Sequence, residues 1–241
     1  MATYRLSRTI LQLAAGSFES LREHILTLLK SLNIKGDKYL DLGCSDGNLT
    51  TQIARTVAAR EVFGVDKSAE AIGHACKKGV QALRLDLNCD PLPFPADSFD
   101  LISAIEVIEH LMDTDRFLSE VYGCLRKGGC FVITTPNLVS WSNRAMLLLG
   151  FEPGMYEVSF KYRVGKPFNN KRPLEASRVM GHIRLYTYKG LKDHLELSGF
   201  EIIKSKGAPV RATNTLVGLV DRMVSIFPSL SSDLIIMATK R

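Results

Sequence analysis

The stretch Tyr39-Leu-Asp-Leu-Gly-Cys-Ser-Asp-Gly-Asn-Leu49 decides how this chain folds. An apolar run over residues 39–42 meets Gly43 and Gly47, and a helical pattern follows at once over Thr50–Ala58. That order reads strand, tight turn, helix. Glycines there let the backbone bend sharply and approach a ligand without a Cβ in the way. Asp41 brings a carboxylate to the strand's carboxyl end, the edge where open α/β sheets bind ligands. A carboxylate favours a ligand led by an ammonium or hydroxyl group over one led by a phosphate. The dinucleotide fingerprint G-x-G-x-x-G needs glycine where Ser45 and Asn48 stand, which disfavours a nicotinamide oxidoreductase. A P-loop is excluded because no Gly-Lys-Ser/Thr follows.

Outward from this turn, the same unit recurs. Glu61-Val-Phe-Gly-Val-Asp66 is a second strand ending in an acid, whose two oxygens suit the hydroxyls of a ribose. The rival role for Asp66 is to cap the helix starting near Ser68. Ala82-Leu-Arg-Leu-Asp86 gives a third strand and a third acid, before Pro91–Pro95 breaks the pattern. Phe99–Ile105 is continuous and apolar, hence a central fourth strand. Asp113–Leu125 reads as a helix, ended by Lys127-Gly-Gly129, and Cys130–Thr135 as strand five. Phe18–Leu32 carries a helical apolar stripe expected to pack on the sheet and overhang the ligand edge. Trp141–Leu149 is expected to be helical, Thr187 to cap a helix over Tyr188–Leu197, and Leu216–Phe227 to be amphipathic. Phe200–Ser205 and Asp233–Thr239 make a final antiparallel pair.

Asp41-Leu-Gly-Cys-Ser-Asp-Gly47 resembles the first motif of class I S-adenosylmethionine (SAM) methyltransferases, D/E-x-G-x-G-x-G, with Ser45 at the middle glycine. The resemblance implies an α/β fold: a Rossmann-like, seven-stranded, mostly parallel sheet with an antiparallel last strand and helices on both faces. It implies a SAM site made by Asp41, Gly43, Cys44, Ser45, Gly47, Asp66, Lys67, Asp86, Leu87 and Ile105. Asp41 and the Gly43–Gly47 backbone would lie near the methionine portion and Asp66 at the ribose. Asp86 and Leu87 would meet the adenine.

Glu106, Glu109 and His110 follow strand four at spacing i, i+3, i+4, which puts all three on one face if the turn is helical. Such a set can hold a divalent cation (Mg or Mn), with His182 as a fourth ligand. Glu-x-x-Glu-His here is similar to ubiquinone-pathway O-methyltransferases and to small-RNA 2′-O-methyltransferases, in which a metal gathers substrate oxygens. Other family members carry Ile-Glu-His without metal, the histidine then being a general base or a hydrogen-bonding support of the site. The candidate catalytic residues are Glu106, His110, His182 and Arg184. Arg184 is placed beside His182 on a strand-like Gly181–Tyr186 and is offered a carboxylate, a phosphate or a surface acid. His24, His74 and His194 receive no role.

At 241 residues, 46% hydrophobic and 23% charged, the chain has the composition of one globular domain. The amino-terminal helical region (about 1–35) is expected to be a lid and a basic insertion (about 141–184) a cap over the substrate. Five scattered cysteines without a C-x-x-C pair fit reduced, cytoplasmic thiols. The first 16 residues lack the uninterrupted apolar core of a signal peptide, and no run reaches the ~20 residues of a membrane span. Net charge is +6, and residues 151–184 hold seven Lys/Arg against three Glu. That stretch can meet anionic lipid, an acidic substrate or RNA phosphates. The expected acceptor is small or lipid-linked and methylated at oxygen, with nucleic acid ranked below it. The remaining alternative is a membrane-peripheral SAM-binding protein without catalysis, in which Trp141 and Leu147–Leu149 lie on a bilayer.

Overall fold

Leu40, Leu42 and Tyr39 are fully buried in β1 (Lys38–Leu42), yet they serve different cores. Leu40 and Leu42 join one apolar cluster and Tyr39 the other, as alternate residues of a strand must when both faces of the sheet are covered. The computed structural model describes residues 18–159, 161–167, 181–209 and 216–241.

The remaining strands are β2 (Glu61–Asp66), β3 (Gln81–Arg84), β4 (Phe99–Ile105), β5 (Leu125–Pro136), β6 (Phe200–Ala208) and β7 (Asp233–Lys240). They form one seven-stranded sheet in the order β3-β2-β1-β4-β5-β7-β6. All neighbours are parallel except β7, which runs antiparallel to both β5 and β6. The chain leaves β1 toward β2 and β3, then returns to its other side with β4. The reversal puts the topological switch point, where open α/β sheets bind their ligands, at the carboxyl ends of β1 and β4.

Helix α1 (residues 18–31) and α2 (Asn48–Val57) cover one face through Leu21, Ile25, Leu29, Ile53 and Val57. Helices α4 (Thr114–Cys124) and α6 (Tyr188–Leu197) cover the other through Phe117, Leu118, Val121, Leu191 and Leu195. Helix α3 (Ala69–Lys77) packs Ala75 against Cys44 and Val80. Helices α5 (Trp141–Leu148) and α7 (Leu216–Val224) complete the set. The expected caps are in place: Thr187 accepts from Gly190 N, and Ser68, rather than Asp66, caps α3 by accepting from Ala71 N.

Three boundaries differ from the sequence reading. β3 ends at Arg84, so Asp86 lies beyond the strand in a turn where its N–H donates to Asp90 Oδ2. Lys127-Gly128-Gly129 lies inside β5, because the chain leaves α4 at Leu125 already extended, and Gly128 takes up the irregularity with φ 72°. Gly181–Tyr186 is no strand. Its only sheet-like contact among the described residues is a bridge from Tyr186 to Asn137. The basic residues 171, 172 and 178, Phe168 and the first 16 residues lie outside the described residues.

Candidate active site

The turn after β1 is held to β2 by its own backbone: Gly43 and Cys44 both donate to the carbonyl of Val65, at 2.8 and 3.0 Å. Gly47 adopts φ 77°, and a Cβ there would lie 3.0 Å from Ala75 Cα, so the approach of α3 to the turn requires glycine. Ser45, the residue in place of the family's middle glycine, is also left-handed at φ 47°. Its N–H donates to Asp66 Oδ2 at 2.9 Å, while Asp66 Oδ1 accepts from Ser68 N at 2.9 Å. The second acid therefore ties the glycine turn to the start of α3 through both of its oxygens.

Asp41 is buried, which corrects the picture of a carboxylate open to an incoming ammonium. Thr50 donates to one of its oxygens at 2.6 Å and Ser103 to the other at 2.5 Å. Burial pushes its carboxyl up to about 6 despite these hydroxyls. It braces the turn from below. A residue that sequence reasoning passed over supports the same turn from above: Lys78 donates to the Asp46 carbonyl, the Asp46 carboxylate and Asn48 Oδ1, at 2.7 to 3.0 Å.

The third acid heads a loop clasped to the histidine turn. Asp86 Oδ1 accepts from Asn88 N; Asn88 in turn accepts from Met112 N and donates to the His110 carbonyl. Arg116 donates to the Leu87 carbonyl at 2.7 Å, and Leu87 packs half-buried against the core. Asp66 at the end of β2 and Asp86 just past β3 thus sit at one rim, with Asp41, level with Gly64, buried beneath it on β1. Lys67 is exposed beside Asp66, and Ile105 is half-buried at the end of β4.

Beyond β4, Glu106 is left-handed at φ 55°, so the expected regular helical face over residues 106–110 does not form. A single 3-10 turn covers Ile108–His110. Glu106 instead turns to β5: its N–H donates to Thr134 Oγ1, and that hydroxyl donates to Glu106 Oε1 at 2.8 Å. Glu109, His110 and His182 do converge, with one ligand atom from each within 4.8 Å of the others. Glu106 stands outside this group of three, though its charge reaches Glu109. Burial first, and then Glu106, push the Glu109 carboxyl up to about 9. Burial alone lifts Glu106 to about 7.

The chemistry of the three donors suits a divalent cation. Glu109 Oε2 accepts from Thr135 Oγ1 at 3.0 Å, while Oε1 is buried with no hydrogen-bond partner. His110 Nδ1 lies 3.2 Å from the Gly181 carbonyl, and His182 Nδ1 lies 3.2 Å from the Met155 carbonyl. A carbonyl only accepts, so each Nδ1 carries the hydrogen and each Nε2 offers a lone pair. Burial lowers both imidazoles, which keeps them neutral and able to ligate or take a proton.

The carbonyl of Glu109 accepts from both Ile183 N and Arg184 N, fastening the chain after the basic stretch to this turn. Arg184 is exposed, and its guanidinium donates to the Met112 carbonyl at 3.0 Å. His194 has partners after all, at 2.9 Å from Asp115 and 3.0 Å from the Tyr186 hydroxyl.

Comparison with known proteins defines the class. The sequence model of the methyltransferase domain matches residues 13–205, and the chain belongs to this family of class I SAM-dependent methyltransferases. A probable SAM-dependent methyltransferase of Mycolicibacterium smegmatis is 33% identical over 138 residues, 56% of this chain and 52% of that protein. A ubiquinone biosynthesis O-methyltransferase of a Bradyrhizobium species is 36% identical over 129 residues, 51% of this chain and 49% of that protein. The chain therefore matches about half the length of these relatives. Among solved structures, a SAM-dependent methyltransferase from Clostridium acetobutylicum superposes with a TM-score of 0.61 at 16% identity, covering 99% of each chain. One from Thermotoga maritima gives 0.61 at 18% identity, covering 99% of this chain and 96% of that one. These establish the fold.

Proposed function

We propose that this protein is a SAM-dependent O-methyltransferase whose acceptor is a small or lipid-linked hydroxyl compound, activated at Glu109, His110 and His182. The convergence of these three side chains next to the SAM crevice carries the reading. The O-methyltransferase relatives support oxygen as the acceptor atom. SAM supplies an electrophilic methyl on a sulfonium whose departure leaves a neutral thioether. What remains for the protein is to orient the acceptor oxygen and remove its proton.

In this reading Asp66 binds the ribose hydroxyls, the loop of Asp86 and Leu87 receives the adenine, and the Gly43–Gly47 backbone passes beside the methionine portion. Cys44, Lys67 and Ile105 line the same crevice. Glu109 Oε1 and the two imidazole Nε2 atoms would hold a divalent cation, Mg or Mn. When bound, such an ion lowers the pKa of an acceptor hydroxyl and draws its oxygen into place. Without such an ion, the lone pair of the neutral His110 Nε2 would instead serve as the base for that hydroxyl. Glu106 and Thr134 together fix the backbone entering the turn. The amino-terminal segment and the 141–184 region would close over the acceptor as lid and cap.

Two measurements test this. Asp66→Ala should weaken SAM binding at least about tenfold by calorimetry, through loss of both the ribose acceptor and the Ser45 tether. Unchanged affinity overturns the cofactor assignment. Stripping with EDTA should abolish turnover and manganese should restore it; full turnover after stripping removes the cation and leaves His110 alone as the base.

A further inference from the structure

Helix α7 is inside out. Gly218, Asp221 and Ser225, at spacing i, i+3, i+7, are its buried side. Asp221 accepts from Trp141 Nε1 at 2.8 Å and from Ser232 Oγ at 3.0 Å, which fastens the polar side of the helix to α5 and to the strand entering β7. The apolar side, Leu216, Leu219 and Met223 with Ile226 and Phe227 just beyond, is left 54 to 77% exposed. Burying the polar side and presenting the apolar one inverts the usual arrangement of a surface helix.

The inverted helix has neighbours of the same character. Arg144 of α5 donates to the Ser229 carbonyl after α7, and Trp141 N donates to the Leu230 carbonyl, so α5 and α7 share one side of the molecule. At the end of α5, Leu147, Leu148 and Leu149 are exposed, and the chain after it is tied back by Phe151 N to the Met146 carbonyl. Among the described residues of 141–167 and 216–230, the exposed charged side chains are Arg144, Lys161, Arg163 and Arg222, all cationic. The acids there are withdrawn: Asp221 is buried, and Glu152 and Glu157 are half-buried, with Glu157 accepting from Gly181 N.

From this combination we infer that the face formed by α7 and the end of α5 docks on an anionic phospholipid bilayer. Large apolar side chains would enter the acyl boundary, and the arginines and lysine would lie at the headgroups. The charge selects this occupant. A second copy of the chain would bring the same positive rim against itself, whereas a phosphatidylglycerol surface complements it. No helix among the described residues is long and apolar enough to cross a membrane, so the contact is a peripheral one. It would also deliver a lipid-linked acceptor to the crevice, although the docking stands whether or not the site methylates.

Flotation of the full chain with vesicles tests it. The wild type should float with mixed phosphatidylcholine–phosphatidylglycerol vesicles at low salt and should be released by salt or by pure phosphatidylcholine. Leu219→Glu with Met223→Glu should cut the bound fraction at least about tenfold, since two large apolar contacts are lost. Arg222→Gln with Lys161→Gln should weaken binding several-fold only where phosphatidylglycerol is present. SAM calorimetry on each variant reports folding independently of docking; should the glutamate pair fail to fold, Ile226→Ser with Phe227→Ser replaces it. Wild type that stays unbound at low salt overturns the proposal, as does undiminished flotation of the glutamate pair. Sedimentation as a dimer that the glutamate pair dissociates, with vesicles ignored, assigns the face to a second copy and overturns it as well.

Discussion

Asp41 illustrates how a residue in a binding motif can act without standing open to the ligand. Its carboxyl is moved by burial from 3.8 to about 6, so the folded protein keeps this proton longer than the unfolded chain does. The contribution of Asp41 to stability should therefore fall as pH rises from about 4 to about 6 and level off above that, by about 3 kcal/mol in all, while Glu106 and Glu109 carry a further fall at higher pH. Asp41→Asn should flatten that fall, read as the difference between urea unfolding curves of the two proteins across this range. Glu109 makes a second prediction. Glu109→Gln keeps the volume and the Thr135 contact but removes the anionic ligand, so manganese binding measured by calorimetry should drop at least about tenfold. A shared affinity for manganese in both proteins would remove Glu109 from the cation site. Of this constellation, the Glu109-His110 pair was legible in the sequence because neighbours in sequence stay neighbours in space. The arrival of His182 could only be named as a candidate, since nothing local encodes a contact across 72 residues. Glu106 misled for a related reason: the i, i+3, i+4 argument assumes right-handed helical backbone, and φ 55° at that residue redirects the side chain toward Thr134.

Elements differ in how much of themselves they disclose. The strands β1, β2 and β4 were readable because burial on both faces leaves an uninterrupted apolar run, and the acids at their ends mark the ligand edge. Helix α7 was equally visible as a helix, yet its orientation was not. A period of 3.6 residues separates an apolar from a polar side without saying which one meets the protein. Long-range bonds settle that, among them the one from Trp141 to Asp221, which joins residues 80 positions apart. The first glycine turn offers a test at this level. Gly47→Ala places a Cβ against the backbone of Ala75 and forces alanine into φ 77°, which should cost about 2 kcal/mol or more in urea unfolding and weaken SAM binding. A variant as stable as the wild type would mean that α3 can retreat from the turn.

At the scale of the whole molecule, one sheet positions most of the site, and the segment that begins at Gly181 brings in His182. β1, β2 and the loop after β3 bring the three acids, β4 leads into the Glu109 turn, and β5 supplies Thr134 and Thr135. A ligand spanning these strands should stabilise them together. SAM at about a hundred times its Kd should raise stability by about 2.7 kcal/mol and the unfolding midpoint by several degrees, an effect that Asp66→Ala should lose. No shift with saturating SAM would contradict a crevice built across the sheet. The pair of hydrogen bonds that Ile183 N and Arg184 N donate to the Glu109 carbonyl has a consequence for how such a protein diversifies. The carbonyls of Met155 and Gly181 are each held at an imidazole, so both ends of the intervening sequence are moored at the candidate site. On the proposed function, exchanging that sequence while keeping both moorings should change which acceptor is taken and leave the imidazoles where they are.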